Sequence, residues 1–265
     1  MKQFFSDLRE VWQYRALLYM LVVRDLKARY RGSVLGIAWS YFQPLGMMLA
    51  LTFAFSVISS GPPTIERYSV FVLSGLLVWN FFSASVTGGA GSVVGNAGLV
   101  KKVYFPRLVL PIAVVFANLV NFLFALLMWL TIALVVGHPI KHTVLFLPVA
   151  IALQLIFSIG IAFLLSTLNV FYRDTQFILE LALLALFFLT PIWYDIDSVP
   201  QREVGLWLRR LNPVASLVNI YQDLMYWGRL TDWDFVLRTL STALGVLMIG
   251  YLIFRRYSPR FGEEL

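Results

Sequence analysis

TGGAGSVVGNAGLVKKVYFP, residues 87–106, packs five glycines into the eleven residues Gly88–Gly98 and then adds Lys101 and Lys102. A loop that wraps backbone N–H groups around a nucleotide phosphate has this composition. Such a loop also ends in Gly-Lys-Ser/Thr and follows a buried strand, whereas no glycine in this chain is followed directly by lysine. The alternative is the end of a membrane helix. Gly88, Gly91 and Gly95 fall at spacings of three and four, which lets a helix pack closely against a neighbour before the chain turns. The lysines then mark the water boundary.

Composition decides between the two. The 265 residues are 60% hydrophobic and only 13% charged, with a mean hydropathy of +0.79, which describes an integral membrane protein. The net charge of +7 suggests nucleic acid at first sight, but the basic residues cluster beside apolar stretches, the pattern of the positive-inside rule. Nucleic-acid binding is therefore not expected. With no cysteine, disulfides, thiolate metal sites and thiol nucleophiles are excluded. His138 and His142 flank Pro139 without a third ligand nearby, so an interfacial role is expected and no metal site.

Six stretches have the roughly 20 apolar residues that a span requires: 34–59, 68–90, 108–136, 144–169, 177–194 and 235–254. Ahead of them the apolar run at 16–23 is short and lacks a small-residue cleavage site, which predicts no cleaved signal peptide. Leu8, Val11, Trp12, Leu18, Tyr19 and Val22 recur at helical spacing among Arg9, Glu10, Arg15 and Arg24, which predicts an amphipathic surface helix over 6–28. The basic residues of the N-terminal segment, Lys101, Lys102, Arg107, Arg173, Arg255, Arg256 and Arg260 fall on one side of the spans, and that side is predicted to be cytoplasmic, with both termini. The opposite segment 195–234 is predicted to hold two short helices on or dipping into the outer leaflet. The second has Asn212 as N-cap, Pro213 at the first helical position and Gly228 past its end. The chain reads as one membrane domain over 1–265: an amphipathic interface segment 1–32, an all-α six-span bundle 33–256 and a cytoplasmic tail 257–265.

Ionisable groups are scarce where catalysis or proton transfer would need them. Asp195, Asp197 and Glu203 lie in the outer segment as solvated loop charge, and a membrane transferase built on them is the weaker alternative. Within the spans only Glu180 and Arg238 are charged, each close to a span end, which leaves no carboxylate or histidine relay for a proton-driven pump. No catalytic residue is nominated. Five uncharged polar residues do lie mid-span: Gln43, Asn80, Asn118, Asn121 and Gln154. They serve either interhelical hydrogen bonding or a polar pathway, and Asn118 and Asn121 share a helix face.

RDLKARYRGSVLGIAWSYFQPL at 24–45, KKVYFPRLVLP at 101–111, LNVFYRD at 168–174, TPIWY at 190–194 and the pair Asn212-Pro213 occur in an order that resembles a known family. It is the membrane subunit of type-2 ABC exporters, specifically the permeases that export O-antigen, capsule or teichoic-acid polysaccharide, and the resemblance covers nearly the whole chain. It implies a homodimer joined to two copies of a separate cytoplasmic ATPase, which binds the ATP and Mg that this chain does not. It also implies a coupling helix at about 95–105. The coupling residues would be Asn96, Leu99, Val100, Lys101, Lys102, Val103, Tyr104 and Phe105, with Tyr172, Arg173 and Asp174 as a second contact; anchoring of the lysines at lipid headgroups is the competing role.

The same resemblance assigns the N-terminal segment as a gate helix, with Trp12, Arg15, Arg24, Lys27 and Arg29 at the interface. Trp39, Tyr41, Phe42, Trp79, Phe82, Trp193 and Tyr194 are the aromatic residues expected along a path for a lipid-linked sugar chain, since aromatic rings pack on sugar C–H faces without demanding one hydroxyl pattern. A membrane-interface aromatic belt is the other role open to them. The implied function is export of lipid-linked polysaccharide across the bacterial cytoplasmic membrane. A type-2 exporter of drugs or lipids is the alternative within transport, and a glycosyltransferase or assembly scaffold the alternative outside it.

Overall fold

A computed structural model describes residues 2–34, 36–58, 65–196 and 211–265, and every regular element among them is helical. In chain order these are α1 (Lys2–Gln13), α2 (Arg15–Tyr30), α3 (Trp39–Ile58), α4 (Tyr68–Gly91), α5 (Ala97–Lys102), α6 (Val109–Val135), α7 (Leu147–Phe171), α8 (Thr175–Leu189), α9 (Pro213–Gln222), α10 (Trp233–Tyr257) and α11 (Phe261–Glu264). By length and composition α4, α6, α7 and α10 can each cross a bilayer, while the apolar parts of α3 and α8 are shorter.

The differences from expectation are local. The stretch 34–59 begins its helix only at Trp39, because Gly36 takes a positive φ of 52° and Gly36–Ala38 form a 3-10 turn. The single amphipathic helix expected over 6–28 is two helices that meet at Tyr14. In α2 the apolar residues ring the helix: Leu21 is buried, whereas Tyr19 and Met20 are exposed. Gly88 meets Val114 of α6 and Gly91 meets Gln176 of α8, but Gly95 lies beyond the end of α4 in open space. The closest approach in that run belongs to Gly89, where a Cβ would lie 2.6 Å from that of Ala162.

Asn212 does cap α9, its Oδ1 accepting from the N–H groups of Val214 at 3.0 Å and Ala215 at 3.2 Å, with Pro213 at the first position. A five-residue π turn, Asp223–Trp227, continues this helix to Gly228, whose φ of 62° closes it. The segment does not lie on a lipid surface. Residues Val214–Gln222 are all buried, packed against α4, α7 and α10, where non-spanning backbone can be tolerated. The other expected outer helix, 200–211, falls outside the described residues except for Leu211.

α4 occupies the centre, in contact with α3, α6, α7, α8 and α9. At one end the two termini meet. Tyr251 donates to Asp7 at 2.6 Å, Arg255 pairs with the same carboxylate at 3.2 Å, and Arg255 also bonds Gln3. At the other end Tyr226 donates to the carbonyl of Glu66, and Thr143 to that of Leu224 at 2.8 Å. His138 stacks on Tyr226 there with ring planes 10° apart, and burial lowers its pKa, favouring the neutral imidazole.

The most extensive helix pair is α7 with α10. Its backbones meet at two glycines: a Cβ on Gly160 would lie 2.6 Å from the Cα of Leu247, and one on Gly250 would collide with the carbonyl oxygen of Gly160. Between membrane helices such approach replaces the hydrophobic driving force with dispersion. Gly250→Ala is therefore expected to destabilise the bundle by about 1–3 kcal/mol, read as a lower thermal midpoint of the purified protein in detergent. Gly245→Ala, on the same helix with nothing within 4 Å, is expected to leave that midpoint unchanged or raise it slightly.

Candidate functional site

An amide between apolar helices must find a partner inside the protein. Of the five mid-span amides, Gln154 of α7 does so alone, donating to the carbonyl of Val78 on α4 at 2.8 Å. The other four, Gln43 of α3, Asn80 of α4, and Asn118 and Asn121 of α6, all line one cavity of about 480 Å³. Ser83 and Thr87 of α4, Trp39 and Pro44 of α3, and Arg29 and Tyr30 at the end of α2 complete its polar and aromatic wall. Pro44 sits inside a helix and supplies no N–H there, so the backbone on this side is short of one hydrogen bond.

Two contacts join α2 to the cavity wall. Arg29 donates to Asn118 Oδ1 at 2.9 Å, and Tyr30 donates its hydroxyl proton to Asn121 Oδ1 at 2.7 Å. Asn118 is oriented by its own Nδ2, which donates to the carbonyl of Val114 at 3.0 Å. From sequence these amides could serve either interhelical hydrogen bonding or a polar pathway, and four of the five line one cavity. The signal was their lack of charge in mid-span, which cannot distinguish a lone crosslink such as Gln154 from a shared cavity.

A second candidate site lies at the end that carries both termini. There α5 and the extended residues 103–105 that follow it present two faces. Val100 and Phe105, each 5% exposed, belong to a buried cluster with Leu21 of α2, Val109 and Leu110 of α6, Phe163 of α7, Phe254 of α10 and the fully buried Phe261 of α11. Lys101, Lys102, Val103 and Tyr104 point out, Tyr104 being 87% exposed. Leu99 packs at the edge of the cluster. Asn96 donates to the carbonyl of Ser92 at 2.7 Å and accepts from Arg24 of α2 at 2.7 Å, while Arg24 also pairs with Asp25 at 2.8 Å. Arg107 donates to the carbonyl of Ser258 and lies over the ring of Phe261, which fixes the chain end beneath α5. Tyr172, Arg173 and Asp174 are exposed between α7 and α8, and no ion pair joins Arg173 to Asp174 among the described residues.

The aromatic residues expected along a path divide. Trp39 lines the cavity and is 51% exposed; Phe42, on the same helix, is equally exposed. Trp79 and Phe82 are buried, Trp79 against Phe187 at 5.5 Å and Phe82 stacked on Phe157 at 5.7 Å. Trp193 stacks on Phe55 at 4.9 Å and touches Tyr194, away from the cavity. The side chain of Tyr41 lies outside what is described. Of the N-terminal group, Arg24 and Arg29 are engaged as above, Lys27 is exposed, and Arg15 lies over the exposed ring of Trp12 at 5.8 Å.

The chain is 37% identical over 258 residues to the O-antigen export system permease protein RfbA of Myxococcus xanthus, which covers 97% of this chain and 98% of that protein. A protein of the same name from Klebsiella pneumoniae is 32% identical over 94% of this chain and 95% of its own length. The polysialic acid transport protein KpsM of Escherichia coli is 25% identical over 89% of this chain and 91% of its own. Residues 16–226, which contain both the cavity and the α5 platform, match the family described as ABC-2 type transporter, and the chain belongs to that family.

Proposed function

We propose that this protein is the permease subunit of an ATP-driven exporter of lipid-linked polysaccharide. The observation that carries this reading is the end-to-end similarity to O-antigen export permeases, at up to 37% identity with no large unmatched segment in either chain. The bundle crosses the bacterial cytoplasmic membrane six times, with α3, α4, α6, α7, α8 and α10 as spans and both termini in the cytoplasm. The meeting of α1 with the end of α10 supports an even number of crossings. Two copies form the conduit, and two copies of a cytoplasmic ABC ATPase supply ATP binding and hydrolysis.

In this arrangement α5 is the coupling helix. Its exposed Lys101 and Lys102, with Val103 and Tyr104 just past its end, dock on the ATPase, with Tyr172, Arg173 and Asp174 as a second contact. Its buried Val100, with Phe105 just beyond its end, passes the motion into α2, α6, α10 and the C-terminal helix through their shared cluster. The cavity between α3, α4 and α6 is part of the export path. Its uncharged amides, hydroxyls and the Trp39 ring form a surface on which a repetitive sugar chain can slide, because these groups do not demand one hydroxyl pattern.

Purification of this subunit from cells that co-express the ATPase encoded beside it is expected to recover both chains, and deletion of the gene to abolish surface polysaccharide. Recovery of the subunit alone together with normal surface polysaccharide would remove the proposal. For the docking face, Lys101→Glu with Lys102→Glu is expected to weaken ATPase association by roughly tenfold or more, about 1.4 kcal/mol, with membrane insertion intact. Phe261→Ala distinguishes the buried face. It is expected to preserve much of the association but to lower the polysaccharide exported per ATP hydrolysed, measured in proteoliposomes.

A further inference from the structure

At the end of the bundle opposite the termini, the way α6 stops places a histidine in the packing. Gly137 takes a φ of 71°, and its N–H and that of His138 bond the carbonyls of Leu134 at 3.1 Å and Ala133 at 2.7 Å. A helix that ends this way commonly has an apolar side chain at the position His138 occupies, packed back on the last turns. Here it is an imidazole, 8% exposed and stacked on the Tyr226 ring with centroids 5.2 Å apart. Tyr226 in turn donates to the carbonyl of Glu66 ahead of α4. On the same loop Lys141 bonds the carbonyl of Trp227 at 3.1 Å and Thr143 that of Leu224 at 2.8 Å, so residues 136–143 rest on the π turn along their length.

The ring sits where a charge is not tolerated. Neither nitrogen has a hydrogen-bond partner among the described residues. Neutral, it leaves one donor and one acceptor unmatched; protonated, it would bury two unmatched donors and a charge. Among the described residues both charged groups placed to act on it are cations: Arg67, next to Glu66, and Lys141, on its own loop. The nearby acids face other groups. Asp223 of the π turn pairs with Arg229 at 2.7 Å and accepts from Thr231 at 2.8 Å, while Glu66 and Asp195 act on the Tyr226 hydroxyl. His142, on the same loop, is exposed. Burial is the main influence on the His138 ring and lowers its pKa; the carbonyls of Met225 and Tyr226 oppose it from outside hydrogen-bond geometry, and Arg67 and Lys141 reinforce it.

We infer that His138 is a proton-operated latch: the neutral ring holds the 136–143 loop on the π turn, and a protonated ring must leave Tyr226 and release it. The π turn continues α9, so release loosens a buried helix that packs on α4, α7 and α10. The latch stands on this packing; that it faces outward, and so responds to pH outside the cytoplasm, rests on the orientation in the export reading above. Released, the ring has its ordinary pKa of 6.5; latched, it has a lower one. Well above that value neither form takes up a proton and the latch holds fully. As the pH falls through it, the released form binds a proton that the latched form refuses, so the latch weakens by up to about tenfold per pH unit until the latched ring itself titrates.

The test uses the full chain in nanodiscs. The chain has two histidines, so an imidazole titration followed by NMR is assigned by removing one signal with His142→Gln. His138 is expected to titrate below the exposed His142. Amide hydrogen exchange over 136–143 and 223–228, corrected for the intrinsic effect of pH on exchange, is expected to quicken by up to about tenfold between about pH 7.5 and 5.5. His138→Phe keeps a flat ring against Tyr226 that no proton can charge, and is expected to abolish that quickening. The titration needs no change at His138, which covers the case in which His138→Phe fails to fold. A His138 that titrates at or above His142, or equal quickening in wild type and His138→Phe, overturns the inference. Recovery of the ATPase with the wild-type subunit and loss of surface polysaccharide on deletion test the export reading separately, so the two can fail independently.

Discussion

Inside hydrocarbon there is no water to satisfy a polar group, and an amide left alone costs several kcal/mol. That constraint organises this bundle. Gln154 answers it by bonding the α4 backbone at Val78, Asn169 by bonding Ala90, and Gln222 by bonding Pro191. The first two tie α7 to the central helix α4 at two levels, and the third ties α9 to the chain just past α8. Four other amides answer it collectively by gathering around a cavity. The same physics thus produces both the rigid part of the structure and the part that has room for a ligand.

Interhelical hydrogen bonds of this kind contribute only about 0.6 kcal/mol each on average, so they orient helices more than they hold them together. Cohesion comes from close packing, and it is uneven. α7 and α10 touch backbone to backbone at Gly160 and Gly250, and α4 and α7 approach at Gly89 and Ala162. α3 and α8 have large apolar residues exposed along much of their length, Phe53 and Leu49 on one and Phe177, Leu181 and Phe188 on the other. The bundle therefore has a tight unit of α4, α7 and α10 and a looser flank, and the cavity lies on the α3 side.

Much of this was legible from sequence. Long apolar runs defined the helices because hydrophobic length is a local property, and Asn212-Pro213 with Gly228 marked α9 because caps are local too. The failures share a cause. The break at Tyr14 follows from how α1 and α2 pack on different partners, and nothing in 6–28 itself marks it. The Gly-rich run advertised Gly88, Gly91 and Gly95, yet the tightest contacts between the long helices use Gly89, Gly160 and Gly250, whose partners are 73 or more residues away on another helix. Whether an amide in mid-span crosslinks or lines a cavity depends on which helix faces it. Spacing carries no information about that. The burial of Trp79 and Phe82 is the same limit in aromatic form, since a ring on the correct helix can point to either side of it.

How movement at α5 would reach the cavity can be decided by magnitude. One route is polar. Asn96, just ahead of α5, bonds Arg24, and Arg24 lies five residues, about 7.5 Å along α2, from Arg29 in the cavity. That contact is exposed, and exposed charged contacts are worth about 0–1 kcal/mol, too little to drag a helix against a packed bundle. The other route is apolar. Val100 and Phe105 share a buried cluster with Leu21 of α2, and full burial of one such side chain is worth about 1.5–3 kcal/mol. Displacing α5 without α2 would open a void in that cluster, whereas moving them together would not. Under the proposed coupling at α5, α2 would act as a lever whose base is held by packing and whose far end carries Arg29 and Tyr30 against Asn118 and Asn121. The weak polar contacts at that far end are the ones that can exchange partners when the lever moves.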